Sequence, residues 1–433
     1  MTETAITAVR AREILNSSGL SLLEVDVQLE DGTLGRATVP SSPSTETSDR
    51  LEIRVSEAYP GLRNGSHMAV QTAFDNIANE LAGVDASDRN DVDRRLMSLD
   101  RGGTVKRIGD RAILGASMAV AHAAAASARE PLYRTLNGPH GCILPVPMFT
   151  VLHGDGFADS EAIFANFMIA PVGAPSFREA LHMGVASYLV LKSLLRRRGH
   201  STTVAEDGGF MLERVTDADA LELLLEAIAK AGFKPGTDFV LACDAAAHRC
   251  YDAGRYFFRA PEKKRWTAKR LVDYYEGLSR QFPIWSLENG LAAHDRKGMR
   301  LLADRLGSRL QLASHESHAE SDEDPAGPAA GGDLANATLI GLESAKTISR
   351  LLEWIDREKA ARQGIVICDG ANEPDEFVAD LSVAISAGQI NTGAPAGTDH
   401  VAKYNRLLRI EEELGAESRY AGRGFVLWGG FLQ

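Results

Sequence analysis

Leu23, Val25, Val27 and Leu29 alternate with polar neighbours in the stretch that begins at Leu20, and Asp31-Gly32 interrupts the pattern before Leu34 to Val39 resumes it. Period-two alternation broken by an Asp-Gly step predicts antiparallel strands, as a hairpin or part of a meander. Between residues 67 and 138 the spacing becomes helical: HMAVQTAFDNIANELAG ends on Gly83, and ILGASMAVAHAAAASA is an alanine-rich run of high helix propensity. Strands followed by helices predict an N-terminal α+β domain over residues 1–138.

Over residues 139–433 the pattern changes again. Short β-rich runs (MFTVLHG, FANFMIAP, STTVAEDGG, DFVLACD, FPIWSLENG, RLQLASHE, ATLIGLE, GIVICDG, AGQINTG) alternate with amphipathic helical stretches such as EALHMGVASYLVLKSLLRR. The later runs end at Asp244, Glu288, His315, Gly341, Cys368 and Asn391, at intervals of 44, 27, 26, 27 and 23 residues. Repeated β-then-α units of this length predict a closed (β/α) barrel, an α/β fold. An open doubly wound sheet is the alternative; the number of units, and the lack of a strand-flanked G-x-G-x-x-G, favour the barrel.

Composition narrows the class. With 433 residues, 44% hydrophobic and 24% charged, the chain is neither disordered nor collagen-like despite its 40 glycines. A formal charge of −12 opposes phosphate backbones and anionic headgroups, so neither nucleic acid nor membrane is an expected partner. A small anion in a local pocket stays compatible with that charge. Four scattered cysteines, an N-terminus without a basic and then apolar leader, and the lack of a long apolar run point to a cytoplasmic protein without a membrane span.

Polar residues just past barrel strands face a common mouth, which would gather Asp244, Glu288 and His315. Two carboxylates suit Mg²⁺ or Mn²⁺, and the imidazole widens the choice to Fe²⁺ or Zn²⁺. For each acid the competing reading is a loop carboxylate capping the next helix. Glu206 and Asp207, beside Gly208-Gly209, are candidates for a general base on a flexible loop, or simply a surface turn. His248 follows Asp244 by one turn, and His153, Asp155 and Asp159 cluster after MFTVL. His315 and His318 open a polar, Gly/Pro-rich stretch to Gly332, which is either a loop over the mouth or a solvated insertion.

The segments AREILNSSG, LEVDVQLEDG, GRATVPS, LPVPM, PIWSLENGL, AGQINTGAP and AKYNRLLRIEEEL resemble the enolase family, in order, over essentially the whole chain. The resemblance implies an N-terminal α+β domain followed by a modified (β/α)₈ TIM-type barrel, usually a homodimer. It also implies Mg²⁺-assisted dehydration of 2-phosphoglycerate, with a lysine base and an assisting glutamate.

Carried over residue by residue, the resemblance makes Asp244 and Glu288 metal ligands, puts His315 in place of the third carboxylate, and matches Ser41 to the loop serine that reaches a second metal. The two lysine positions are Gly341 and Asn391, and Lys346 lies five residues beyond the first. The glutamate of the acid-Gly-Gly segment is Asp207, with Glu206 before it, and a second glutamate is Asn166. A substrate-contacting histidine is Phe157, and the phosphate-holding trio is Cys368, Asp369 and Gly370. Ser18 and Asn16 replace a charged pair associated with dimer contacts.

Losing cationic groups together predicts negligible 2-phosphoglycerate dehydration. Two functions follow. One is a divergent dehydratase-type lyase in which Asp244, Glu288, His315 and Ser41 hold a divalent metal and Asp207, Glu206 or His248 moves protons, on a specialised metabolite less anionic than 2-phosphoglycerate. The other is a catalytically inactive paralogue with a binding or scaffold role.

Overall fold

A computed structural model describes residues 2–19, 21–39, 74–101, 109–137, 142–154, 161–258, 264–315, 334–369 and 374–426. Ser41, Asp155, Phe157, Asp159, His318 and Gly370 lie outside the described residues, as does the stretch 316–332. The chain forms two compact units: Met1–Cys142 with Gly341–Arg357 and Asp369–Ile385, and Ile143–Ile340 with Glu358–Cys368 and Ser386–Gln433.

In the first unit, strands Ile6–Leu15, Ser21–Leu29 and Leu34–Val39 form an antiparallel meander. Its turn is the expected Asp-Gly: Gly32 takes φ +85°, and Leu29 N donates to Thr33 O at 2.9 Å. The first strand carries no clean alternation because half of it faces solvent; Arg12 on that strand pairs with Glu24 and Asp26 across the sheet. Helix Asp110–Ala128 lies on this meander at close range. A Cβ at Gly35 would sit 2.1 Å from Ala119 O, and one at Gly115 would sit 2.4 Å from Val39 Cγ2. The alanine-rich composition of this helix is therefore a packing requirement as well as a propensity.

The second unit is the barrel. Its sheet orders the strands as Val146–Pro147, Gln389–Asn391, Gly364–Cys368, Ala337–Ile340, Gln311–Ser314, Ile284–Glu288, Val240–Asp244, Asn166–Ala170, Phe149–His153 and Phe210–Met211. The ring closes because the first and ninth of these are one run of chain: Val146 N bonds Gly388 O (2.8 Å), Met148 N bonds Ile390 O (2.8 Å) and Thr150 N bonds Gly393 O (3.3 Å). Seven further strands complete the barrel, with Phe210–Met211 attached beside Phe149–His153.

Three details differ from the regular repeat. Strand Asn166–Ala170 runs antiparallel to both neighbours, because the stretch linking it to Phe149–His153 carries no crossover-helix pattern. STTVAEDGG is not a barrel strand; it contributes only an isolated bridge from Val204 to Phe210. The long interval between Asp244 and Glu288 holds a separate three-stranded sheet, Tyr251–Asp252, Arg255–Phe258 and Lys264–Trp266.

Inside the barrel, Met148, Met168, Ala170, Ala242, Ala313, Ala337, Leu339, Val366 and Cys368 share one buried cluster. Beside them Gln311 bonds Ser286 Oγ and exchanges amide bonds with Gln389, a polar cross-brace that satisfies its own donors and acceptors. Among the described residues no helix is long and apolar enough to cross a membrane.

Candidate active site

Side chains alternate along each strand, so the interior residues fix which strand-end residues face the mouth. Ala242 is interior, hence Asp244; Met168 is interior, hence Asn166. The register then aligns a row across four strands: His153 opposite Asn166, Asn166 opposite Asp244, and Asp244 opposite Glu288. Directly opposed residues share a face, so the row belongs to one surface at the mouth.

Glu288 is only 2% exposed. Its Oε2 accepts from Asn391 Nδ2 at 3.1 Å, a bond that crosses the mouth from four strands away. Its Oε1 is buried and has no hydrogen-bond partner among the described residues. Burial first, and the Asp244 carboxylate second, push the Glu288 carboxyl well above the ordinary range, while the Asn391 bond pulls the other way. Asp244 Oδ1 accepts from Ala246 N (2.9 Å) and Asn289 Nδ2 (3.1 Å). Asn289 takes φ +47°, and its Oδ1 accepts from His315 N at 3.3 Å, so one amide braces the ends of three strands.

Asp207 lies in a turn closed by Gly208 N to Ala205 O (3.0 Å) and Ala205 N to Gly209 O (2.8 Å). Gly208 takes φ +79°, and a Cβ there would meet Ala394 Cβ at 2.6 Å. Distant segments clamp the turn: Ala394 N bonds Asp207 O (2.8 Å), Tyr188 Oη donates to Gly208 O (2.8 Å), and His400 Nε2 contacts Glu206 O (2.9 Å). The expected flexible loop is thus a braced one. Asp207 Oδ2 lies 2.9 Å from His153 Nδ1, and Asp207 Oδ1 accepts from Gly209 N at 2.9 Å. With the Asn166 amide oriented by its surroundings, its nitrogen lies 2.9 Å from Asp207 Oδ2, 2.8 Å from Ala165 O and 2.8 Å from His153 Nδ1.

Other expected residues stand apart from this constellation. Glu206 and His248 have exposed side chains, His248 in the short 3₁₀ turn Ala247–Cys250. His315 follows its strand but is exposed, and among the described residues no three His, Cys, Asp or Glu side chains gather as a metal-holding group.

Gly341 directly follows strand Ala337–Ile340. A Cβ on it would meet the Glu343 carboxylate oxygens at 2.4 and 2.5 Å, so that carboxylate fills the space of a side chain at position 341. Enclosing protein and nearby Asp369 push the Glu343 pKa up to about 7, although the residue keeps a solvent-accessible face. Lys346 Nζ is 3.1 Å from Asp110 Oδ1.

The residues that sequence reasoning passed over are Asn289 and His400. His153, expected in a loop cluster after MFTVL, is instead the last residue of its strand, as Asp244 is of Val240–Asp244.

Comparison with known proteins matches residues 6–136 to the family described as "Enolase, N-terminal domain" and residues 141–427 to "Enolase, C-terminal TIM barrel domain". A protein named Enolase from Acidothermus cellulolyticus is 44% identical over 418 residues, covering 96% of each chain. Both halves of the architecture and nearly the full length agree, and this chain belongs to the enolase family.

Proposed function

We propose that the chain is a divergent enolase-family lyase that removes a proton α to a carboxylate or carbonyl on a small molecule other than 2-phosphoglycerate. The hydrogen bond from Asn391 to Glu288 carries this reading. Position 391 is where the resemblance implies a lysine, and here a neutral amide occupies it and is engaged with a carboxylate. Gly341, at the other implied lysine, supplies no side chain, and the adjacent space holds a carboxylate. Neutral and acidic groups at those two positions fit a substrate with less negative charge.

Identity of 44% over 418 residues argues for the family's ordinary reaction, but an overall identity does not say which side chains stand at the strand ends. Chemistry depends on the few side chains at the strand ends.

A divalent cation fits Asp244 and Glu288. The buried, unpartnered Oε1 of Glu288 and the adjacent Asp244 carboxylate form an oxygen donor set of the kind hard cations take. When bound, the ion would supply positive charge to stabilise an enolate. Asp207, braced by its turn and facing His153, is the group placed to govern proton movement. A homodimer is the assembly we propose with it.

Mn²⁺ binding measured by calorimetry tests the cation assignment: wild type is expected to bind one equivalent per site and Asp244→Ala to lose at least tenfold in affinity. Equal binding by both proteins would overturn the assignment.

A further inference from the structure

Gly341 directly follows strand Ala337–Ile340, and its φ of −101° and ψ of 166° lie in the β region open to residues with a side chain. Backbone conformation therefore does not call for a glycine there, but the available space does. A Cβ at 341 would overlap Glu343 Oε1 and stand 2.5 Å from Oε2, so the carboxylate and a side chain at 341 exclude each other. The turn Leu342–Ser344 that carries Glu343 is closed by Ser344 N to Gly341 O (3.1 Å) and Gly341 N to Ser344 Oγ (3.3 Å).

The strand register gives the direction in which that space faces. Ile340, Ile367 and Ile390 lie opposite one another on three neighbouring strands, and Cys368 lies opposite Asn391 one residue further on. Continued by that one residue, the row takes in Gly341. Cys368 belongs to the buried cluster inside the barrel, and Asn391 bonds Glu288 at the mouth. Opposed residues share a face, so the side-chain position of residue 341, and the carboxylate that fills it, belong to that face.

We propose that Glu343 is a proton-transfer group of the mouth, a carboxylate supplied by the turn after the strand in place of a side chain at 341. Its titration suits that task. Burial raises the carboxyl, its own backbone N–H lowers it, and the charge of Asp369 raises it, to about 7, so acid and base forms coexist at neutral pH.

Catalytic use of Glu343 rests on the lyase reading above. In that use a C–H bond α to a carbonyl breaks, its proton passes to a Glu343 carboxylate oxygen, and its electron pair enters the carbonyl as an enolate. Return of a proton from the carboxylic acid reverses the step, so no oxidant or reductant is involved.

Carbon-detected spectra of the full chain with ¹³C-labelled glutamate carboxyls, assigned by Glu343→Gln, test the placement itself. Wild type is expected to titrate at Glu343 near 7, and Gly341→Ala, whose methyl displaces the carboxylate from its enclosed space, to move it toward the ordinary 4.5. Ordinary titration in wild type, or titration unchanged in Gly341→Ala, overturns the proposal.

Deuterium exchange at the α carbon of glycerate, malate and serine in D₂O with Mn²⁺ tests its use. Exchange that falls about 100-fold or more in Glu343→Gln supports it, on the scale of general acid–base catalysis. Exchange unaffected by that substitution overturns the catalytic assignment. No exchange by wild type, beside a Glu343 that titrates near 7 and responds to Gly341→Ala, counts against the lyase reading, while the spectra uphold the placement of the proton-transfer group.

Discussion

Asp217 is 0% exposed. Its carboxylate accepts from Ile163 N on both oxygens (3.0 Å each), from Phe164 N (3.0 Å) and from Tyr274 Oη (2.6 Å). It also opens helix Asp217–Lys230, where the N-terminal dipole favours an anion. The residues it holds lead directly into strand Asn166–Ala170, and so into the row at the mouth. Asp217→Ala strands two backbone amides and a phenol in a closed interior, at about 1–3 kcal/mol for each buried donor left unmade. Because neighbouring losses are not additive, the expected total is about 3–5 kcal/mol. Urea denaturation followed by far-UV circular dichroism measures it. Tyr274→Phe should cost about 1–2 kcal/mol alone and much less in the Asp217→Ala background. A loss below about 1 kcal/mol in Asp217→Ala would refute the reasoning.

The Asp26 carboxyl is held at about 2, below its ordinary 3.8, by hydrogen bonding to Arg36 and Arg12 against the opposing effect of burial. A depressed folded-state pKa contributes stability that is present above about pH 4 and lost as pH falls toward 2. Screening at the half-exposed arginines limits this to about 1–2 kcal/mol. Thermal melts between pH 4 and 2 should therefore steepen their decline in wild type and flatten in Asp26→Asn; parallel curves would contradict the assignment. Gly208→Ala forces a left-handed backbone on alanine and a 2.6 Å approach to Ala394 Cβ. Its expected cost is about 2 kcal/mol; an unchanged urea midpoint would show that the turn is not clamped.

Particular residues show why part of the molecule was legible from sequence. Asp244, Glu288, Cys368 and Asn391 each end an apolar run, and each is the last residue of its strand. Local alternation and a polar terminator carry that information within a handful of residues. The Asp31-Gly32 turn and the helix break at Gly83 are equally local, and both glycines take positive φ. Pairings over long separations were not legible. Asp207 meets a histidine 54 positions away, and its turn is clamped from Tyr188, Ala394 and His400. No local pattern distinguishes such a turn from a loose one. Glu343 filling the side-chain space of Gly341 depends on the backbone path after the strand, so the sequence alone registered only an absent lysine. His248 follows Asp244 closely in sequence, yet the 3₁₀ turn directs it to solvent.

The central claim is that the groups at the strand ends no longer serve 2-phosphoglycerate. The direct measurement is formation of phosphoenolpyruvate from 2-phosphoglycerate by the purified full-length chain at saturating Mg²⁺, followed by absorbance and set beside the Acidothermus cellulolyticus relative. Loss of a positioned acid–base group costs about 10²–10⁴ in rate, so the account predicts a turnover at least about 10⁴-fold below that relative. Turnover within about tenfold of it would contradict the account and return the chain to the family's ordinary reaction.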